Sequence, residues 1–236
     1  AQWKRPFGTA AEYIVLPAAQ AVYLPDKVDY AVGACLGIPA LTAIQAIRLA
    51  KADPGSTVLI AGGAGSVGHY AIQLAKLRGT RVITTVSNDA KAAHARAAGA
   101  DEVINYRTED VGERVRTLTD GRGVDAVIEV DLSRNARLYP SVLRPHATVV
   151  IYGMSANEST LPSLWLMQNS VTLRFFLLYE LSAADRAAGI AELTDLLKHG
   201  RLVHTVARRL PLESIAEAHD LVEHGDVIGN VVLDVV

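Results

Sequence analysis

The apolar positions along the chain follow two alternating rhythms. Thr57 to Ala61 is a short continuous apolar run, the mark of a strand buried on both faces. Val67, Ala71, Ile72, Leu74 and Ala75 then recur at helical spacing, and Gly62, Gly63, Gly65 and Gly68 stand at the passage between the two rhythms. An earlier helical stretch, Ala40–Ala50, ends in the turn Asp53-Pro54-Gly55. After the glycines, Arg81–Val86 predicts a second strand, and Asp89–Ala98 an alanine-rich helix stopped at Gly99. Glu102–Tyr106 predicts a short strand, followed by a helix over Thr108–Thr119 with Thr108 as its N-cap and Asp120-Gly121 as its stop. Val124–Val130 is an apolar strand, Arg134–Leu143 a helix, Thr148–Tyr152 a strand and Val171–Leu178 an edge strand. A helix at Ala183–Lys198 stopped by His199-Gly200, a strand at Val203–Leu210, a helix at Leu212–His224 and a last strand at Asn230–Val235 complete the pattern. Strands alternating with helices at this spacing predict an α/β fold with a parallel, doubly wound sheet. No internal repeat or low-complexity linker interrupts it.

The first residues fit this scheme poorly. Gly8–Pro17 and Ala21–Leu24 each read as a strand, and Pro25-Asp26 as a turn, yet no partner strand lies nearby in sequence. Two strands cannot bury a face of their own. Either a preceding piece of chain supplies the partners, or these strands pair with the far C-terminus.

Gly63, Gly65 and Gly68 satisfy G-x-G-x-x-G. Set between a strand and a helix, that spacing is the dinucleotide-binding fingerprint. The first glycine allows a tight turn, the second lets backbone approach a pyrophosphate, and the third lets helix and strand pack closely. The helix N-terminus then meets the phosphates with free N–H groups and partial positive charge. An NAD site places an acid at the end of the second strand to hold the ribose 2'-hydroxyl. Here that strand ends Thr84-Thr85-Val86-Ser87-Asn88, with no carboxylate; Asp89 already starts a helix, where capping explains it. A missing acid removes repulsion against a 2'-phosphate. Lys91, Tyr106 and Arg107 could supply cation and hydroxyl, although either charge alone also reads as an ordinary solvated one. NADPH is the favoured cofactor.

Composition narrows the remaining classes. Half of the 236 residues are hydrophobic and a fifth are charged, enough for a sizeable core. A net charge of -2 makes no electrostatic case for nucleic acid or an anionic membrane surface. The single cysteine, Cys35, leaves no internal disulfide and fits a reducing, cytoplasmic setting. It lies among Ala and Leu and reads as a buried small side chain. No apolar run approaches the ~18 residues of a membrane span. Ala1–Pro6 has no leader pattern. No histidines share a helix face at a metal-ligand spacing, and His69 is expected on the surface of its helix or against a neighbouring strand. Tyr23 and Lys27 match Y-x-x-x-K, but Pro25 breaks the helix that would align them.

Gly33-Ala34-Cys35-Leu36-Gly37-Ile38-Pro39, the glycine turn, Val103-Ile104-Asn105-Tyr106-Arg107, and Glu217-Ala218-His219 followed by His224-Gly225 occur in order. Together they resemble the zeta-crystallin-like quinone oxidoreductase branch of the medium-chain dehydrogenase/reductase superfamily, over essentially Gly8 to Val236. The resemblance implies a Rossmann domain over 39–178 and a GroES-like substrate domain whose parts are 1–38 and 179–236. Part of that domain is expected to precede residue 1. It implies that Ala64, Gly65, Ser66 and Val67 cradle the pyrophosphate beside Gly63 and Gly68. Ser87, Lys91 and Tyr106 would surround the 2'-phosphate. Asn135 would lie near the cofactor, Tyr152, Gly153, Met154 and Ser155 by the nicotinamide ribose, and Phe175, Phe176 and Leu177 by the carboxamide. Zinc-dependent members take a ligand just before the segment at Thr42; Ile38 stands there, so no metal ligand is assigned. Two positions depart from relatives: Asn230, where lysine is common, and Asp131-Leu132-Ser133-Arg134, where many carry glycines. The implied activity is zinc-independent hydride transfer from NADPH to a quinone or activated enone, with no catalytic side chain assigned. A 2-enoyl thioester reductase and a non-catalytic NADPH-binding protein are the alternatives. The resemblance also implies a homodimer formed through the edge strand at 171–178.

Overall fold

The structure is a computed structural model and describes residues 8–225 and 227–235. Ala1–Pro6 lie outside the described residues. The chain divides into two compact units: residues up to Leu41 together with those from Leu178 onward, and Thr42–Leu177.

The opening strands do not form. Residues 8–24 carry no strand, only a 3-10 turn at Ala18–Gln20. Tyr13 is 88% and Val15 95% exposed, so alternation of apolar and polar residues here has no sheet to lie on. Nor do they pair with the C-terminus, whose strands β7 (Val206–Pro211) and β8 (Asn230–Asp234) pair in parallel with each other. A short helix absent from the sequence pattern, α1 (Tyr30–Ala34), follows, capped by the Asp29 carboxylate on the Ala31 N–H at 2.7 Å. Cys35 is buried with Ala31 and Val232, its Sγ 3.2 Å from the Ala31 carbonyl, and burial pushes its thiol pKa up. This unit also contains the long helix Ala183–Lys198, begun by the Ser182 cap and ended at His199-Gly200, and the helix Ile215–His224, closed by Gly225 in the left-handed region at φ 69°.

The second unit is built on six parallel strands. Helix α2 (Pro39–Ala50) leads into β1 (Thr57–Ile60), then α3 (Ser66–Leu77), β2 (Arg81–Val86), α4 (Asp89–Ala97), β3 (Glu102–Asn105) and α5 (Val111–Leu118). β4 (Val124–Glu129), α6 (Leu132–Asn135), α7 (Tyr139–Val142), β5 (Leu143–Ile151), α8 (Ser163–Gln168) and β6 (Thr172–Phe175) complete it; the two long helices of the first unit are α9 and α10. The strand order is β3-β2-β1-β4-β5-β6, with every pair parallel. This is the doubly wound arrangement whose order reverses between β1 and β4. All four residues of β1 are buried, as a strand covered on both faces requires. One part of the core gathers Leu59, Ile83, Val127 and Val149 from four adjacent strands with Tyr139 and Val142 from α7.

Three boundaries moved for physical reasons. The α5 cap is Asp110, not Thr108: its carboxylate accepts from the Glu113 N–H at 2.7 Å, the spacing of a capping box. The helix expected over Arg134–Leu143 is broken into α6, a 3-10 turn and α7, because Pro140 removes an N–H donor at the start of α7. The apolar run Val171–Leu178 forms strand only over Thr172–Phe175, and it lies at the sheet's edge, paired on one side with β5.

Candidate nucleotide site

The polypeptide leaves β1 at Gly62, whose φ of 70° lies in the left-handed region. The tight turn therefore belongs to Gly62, one residue before the glycine expected to make it. Gly63 serves another need: a Cβ there would overlap the Thr84 hydroxyl and lie 2.9 Å from its methyl. Two neighbouring threonines of β2 hold the turn. Thr84 donates to the Ile60 carbonyl at 2.6 Å, and Thr85 accepts from the Gly62 N–H through its hydroxyl at 3.2 Å and from the Gly63 N–H through its carbonyl at 3.1 Å. Gly65 is the N-cap of α3 and brings no side chain to the helix end. Gly68, one turn in, presses against the Gly62 and Gly63 backbone. Ala64, Ser66 and Val67 occupy the same loop and first turn. The result is a bare helix N-terminus facing the carboxyl edge of the sheet, the geometry an anionic diphosphate requires.

The other candidate residues lie along that same edge. Ser87 follows β2 and is buried. Asn88 caps α4 by accepting from the Lys91 N–H at 2.9 Å, which places Lys91 in the first turn. Tyr106 follows β3 and its N–H donates to Val86 at 3.0 Å, so the ends of β2 and β3 bring Ser87 and Tyr106 onto adjacent strands. Asn135 ends α6, Tyr152 to Ser155 follow β5, and Phe175, Phe176 and Leu177 end and follow β6. A cleft of about 760 Å³ runs along the edge. Gly62, Tyr106, Asn135, Met154 and Ser155 line it directly; Gly63 to Gly68, Ser87, Lys91, Tyr152, Gly153 and Phe175 to Leu177 stand outside its lining.

The cleft also contains a group that the sequence reading passed over. Glu129, the last residue of β4, is 1% exposed and lies in its wall. Its Oε1 accepts from the Asp131 N–H at 2.7 Å and from Asn135 Nδ2 at 2.8 Å, and its Oε2 from the Tyr139 hydroxyl at 3.2 Å. Burial raises its pKa above the ordinary carboxylate range, against the lowering effect of those three bonds. Burial, followed by the charge of Glu129, raises Tyr139 and Tyr152 as well. An acid closing the apolar run Ala126–Ile128 was the available signal.

The segment Asp131–Arg134 replaces flexibility with bonds. Asp131 Oδ1 accepts from the Ser155 N–H and hydroxyl, both at 3.0 Å, while its Oδ2 pairs with Arg134 at 3.3 Å. Ser133 reaches Ser159 at 3.0 Å. These contacts lace the loop after β4 to the loop after β5. Gly153 is required between them, since a Cβ there would overlap the Val130 carbonyl oxygen. His69 is not on the surface of its helix: it is 5% exposed and stacks on His94 of α4, with ring centroids 4.7 Å apart. Burial, then the charge of His69, lowers the His94 pKa.

Residues 66–197 match the zinc-binding dehydrogenase family. The chain belongs to that family. It is 30% identical over 97% of its length to the 2-haloacrylate reductase of a Burkholderia species, covering 71% of that protein. It superposes with a TM-score of 0.87 on an NAD-dependent alcohol dehydrogenase (32% identity, 97% of this chain, 66% of that one). It does so with a TM-score of 0.83 on Escherichia coli quinone oxidoreductase complexed with NADPH (29% identity, 92% and 68%). The chain spans 64% of the NAD-dependent alcohol dehydrogenase of Sulfurisphaera tokodaii. The family's name refers to zinc, but among the described residues no three His, Cys, Asp or Glu side chains gather as a ligand set. No helix among the described residues is long and apolar enough to cross a membrane.

Proposed function

We propose that this chain carries the nucleotide domain of an NADPH-dependent oxidoreductase that passes hydride to a quinone or an activated enone. The observation that carries the reading is the end of β2, where Ser87 and Asn88 follow the strand with no carboxylate, beside Tyr106 just after β3. The likeness to the NADPH-bound quinone oxidoreductase supports it, and the likeness to a 2-haloacrylate reductase supports an electron-poor alkene as an acceptor.

The residues present fit the cofactor. The glycine cradle and the α3 N-terminus take the pyrophosphate: Gly65 caps the helix without a side chain, and the close approach of Gly63 to Thr84 and of Gly68 to the Gly62–Gly63 backbone holds the turn against the helix end. Ser87, Lys91 and Tyr106 take the 2'-phosphate. Asn135, Tyr152, Gly153, Met154 and Ser155 position the nicotinamide half, with Phe175, Phe176 and Leu177 by the carboxamide. When bound, NADPH supplies the hydride. The acceptor oxygen gains charge as hydride arrives and takes its proton from solvent, so no side-chain acid is assigned. β6, bonded on one side only, pairs with β6 of a second copy. Light scattering at micromolar concentration should give a dimer; a monomer sinks that part of the reading.

The test is titration of the purified chain with NADPH and NADH, then stopped-flow oxidation of bound NADPH by quinones and crotonyl thioesters. Tighter NADPH binding and oxidation by quinones are expected. Stoichiometric zinc in the purified protein, or a preference for NADH, counts against it. Turnover of thioesters alone points to an enoyl thioester reductase, and tight binding without turnover to a non-catalytic role.

A further inference from the structure

The cleft along the sheet edge has an apolar floor and a polar rim. Leu59, Val111, Val127 and Val142 lie in the floor, all of them buried. Tyr106, 53% exposed, and Arg137, exposed as well, stand at the rim. The packing of α7 on α5 fixes which part of the rim Arg137 holds. Gly112, in the first turn of α5, lies against the Ser141 hydroxyl of α7, where a Cβ would overlap it. That hydroxyl donates to the Leu138 carbonyl at 2.8 Å, in the 3-10 turn that leads into α7. Arg137 belongs to the same turn, so it stands across the cleft from the loop that runs from Tyr106 into α5. That loop leaves the carboxyl end of β3, on the half of the sheet over which this fold places adenosine.

The charges lining the cleft leave one cation over. Glu109 pairs with Arg114 at 2.8 Å and accepts from the Asn105 N–H at 2.8 Å. Asp110 caps α5, Asp131 holds Arg134 and Ser155, and Glu129 has its three donors. The Arg137 guanidinium makes no hydrogen bond or ion pair with the described residues. A planar fork of N–H donors, always charged and held at the mouth of a nucleotide-sized cleft, is suited to phosphate oxygens.

We propose that Arg137 is a further specificity-determining residue, closing the 2'-phosphate site from the wall opposite Tyr106 and so favouring NADPH over NADH. The proposal rests on the NADPH reading above. The base enters the apolar floor. The 2'-phosphate stays at the rim, because its charge is costly to bury away from water or a cation. Ser87, Lys91 and Tyr106 meet it from the ends of β2 and β3, and Arg137 meets it from the turn before α7.

Adenosine 2',5'-bisphosphate and adenosine 5'-monophosphate differ only in the 2'-phosphate and carry no nicotinamide, so the ratio of their calorimetric dissociation constants isolates this contact. The wild-type chain should bind the bisphosphate at least about tenfold more tightly. Arg137→Gln should cut that ratio by about tenfold and leave the monophosphate within about twofold. Arg137→Lys should keep most of the ratio, since an ammonium still meets a phosphate as a point charge. Added salt should narrow the ratio more in the wild type than in R137Q. The Arg137 side chain is exposed and bonded to none of the described residues, so the melting curve should not move. Equal weakening of both nucleotides in R137Q marks a contact with the base and overturns the proposal, as does an unchanged ratio; in either case the wild-type ratio still upholds the NADPH reading. A wild-type chain that binds the two nucleotides equally, or binds neither, overturns both.

Discussion

Gly68→Ala is expected to destabilise the protein by about 3 kcal/mol, which for a chain of this size lowers Tm by roughly 6–12 °C. The new Cβ would lie 2.8 Å from the Gly63 Cα and closer still to the Gly62 carbonyl oxygen. Both are backbone atoms of a turn that Thr84 and Thr85 already tie to β2, so neither can swing aside as a flexible side chain would. The helix has to move instead. Its first turn carries the N–H groups of the helix end proposed to take the pyrophosphate, so NADPH affinity should fall more than tenfold alongside the stability. Gly37→Ala is the control, because a Cβ there meets nothing within 4 Å. A G68A protein that melts with the wild type and binds NADPH equally well would show that helix and turn are not in this close contact.

The turn at Gly68 was legible because its physics is local. A strand, a glycine spacing and a helical stripe within twenty residues leave few alternatives, and the same locality made Gly99 and His199-Gly200 readable as stops. Legibility failed where a distant partner decides. Gly8–Pro17 has strand composition, but a strand is defined by its ladder, and no ladder is present. Arg134–Leu143 has helical spacing, yet Pro140 and the bond from Asn135 back to Glu129 of β4 divide it. Asp110 overrode Thr108 because the Glu113 N–H falls within reach of its carboxylate. In the site, Gly63 was recognised for a role that Gly62 performs, because the sequence alone does not tell which glycine must turn left and which must make room for Thr84. Glu129 was overlooked for a related reason. Its three donors come from the Asp131 turn, α6 and α7, and their convergence exists only in the folded chain.

The end of β2 offers the largest expected change in nucleotide choice. Ser87→Asp places a carboxylate where an NAD site keeps its ribose acid. Ser87 is buried beside the start of Tyr106, whose N–H is fixed to Val86, so the new charge cannot retreat far into solvent. Against a 2'-phosphate it is repulsive by about 1.4–3 kcal/mol at the effective dielectric of a protein surface, or ten- to a hundredfold in affinity. Against a 2'-hydroxyl it is a hydrogen-bond acceptor, and NADH should bind several-fold more tightly. The two cofactors are therefore expected to move in opposite directions, a result that loss of folding cannot imitate because unfolding weakens both. Raising salt should narrow the gap by screening the repulsion while leaving the hydroxyl bond in place. If S87D weakens NADPH and NADH in parallel, Ser87 does not face the adenosine ribose, and the proposed preference for NADPH must be sought at Lys91 and Arg107 instead.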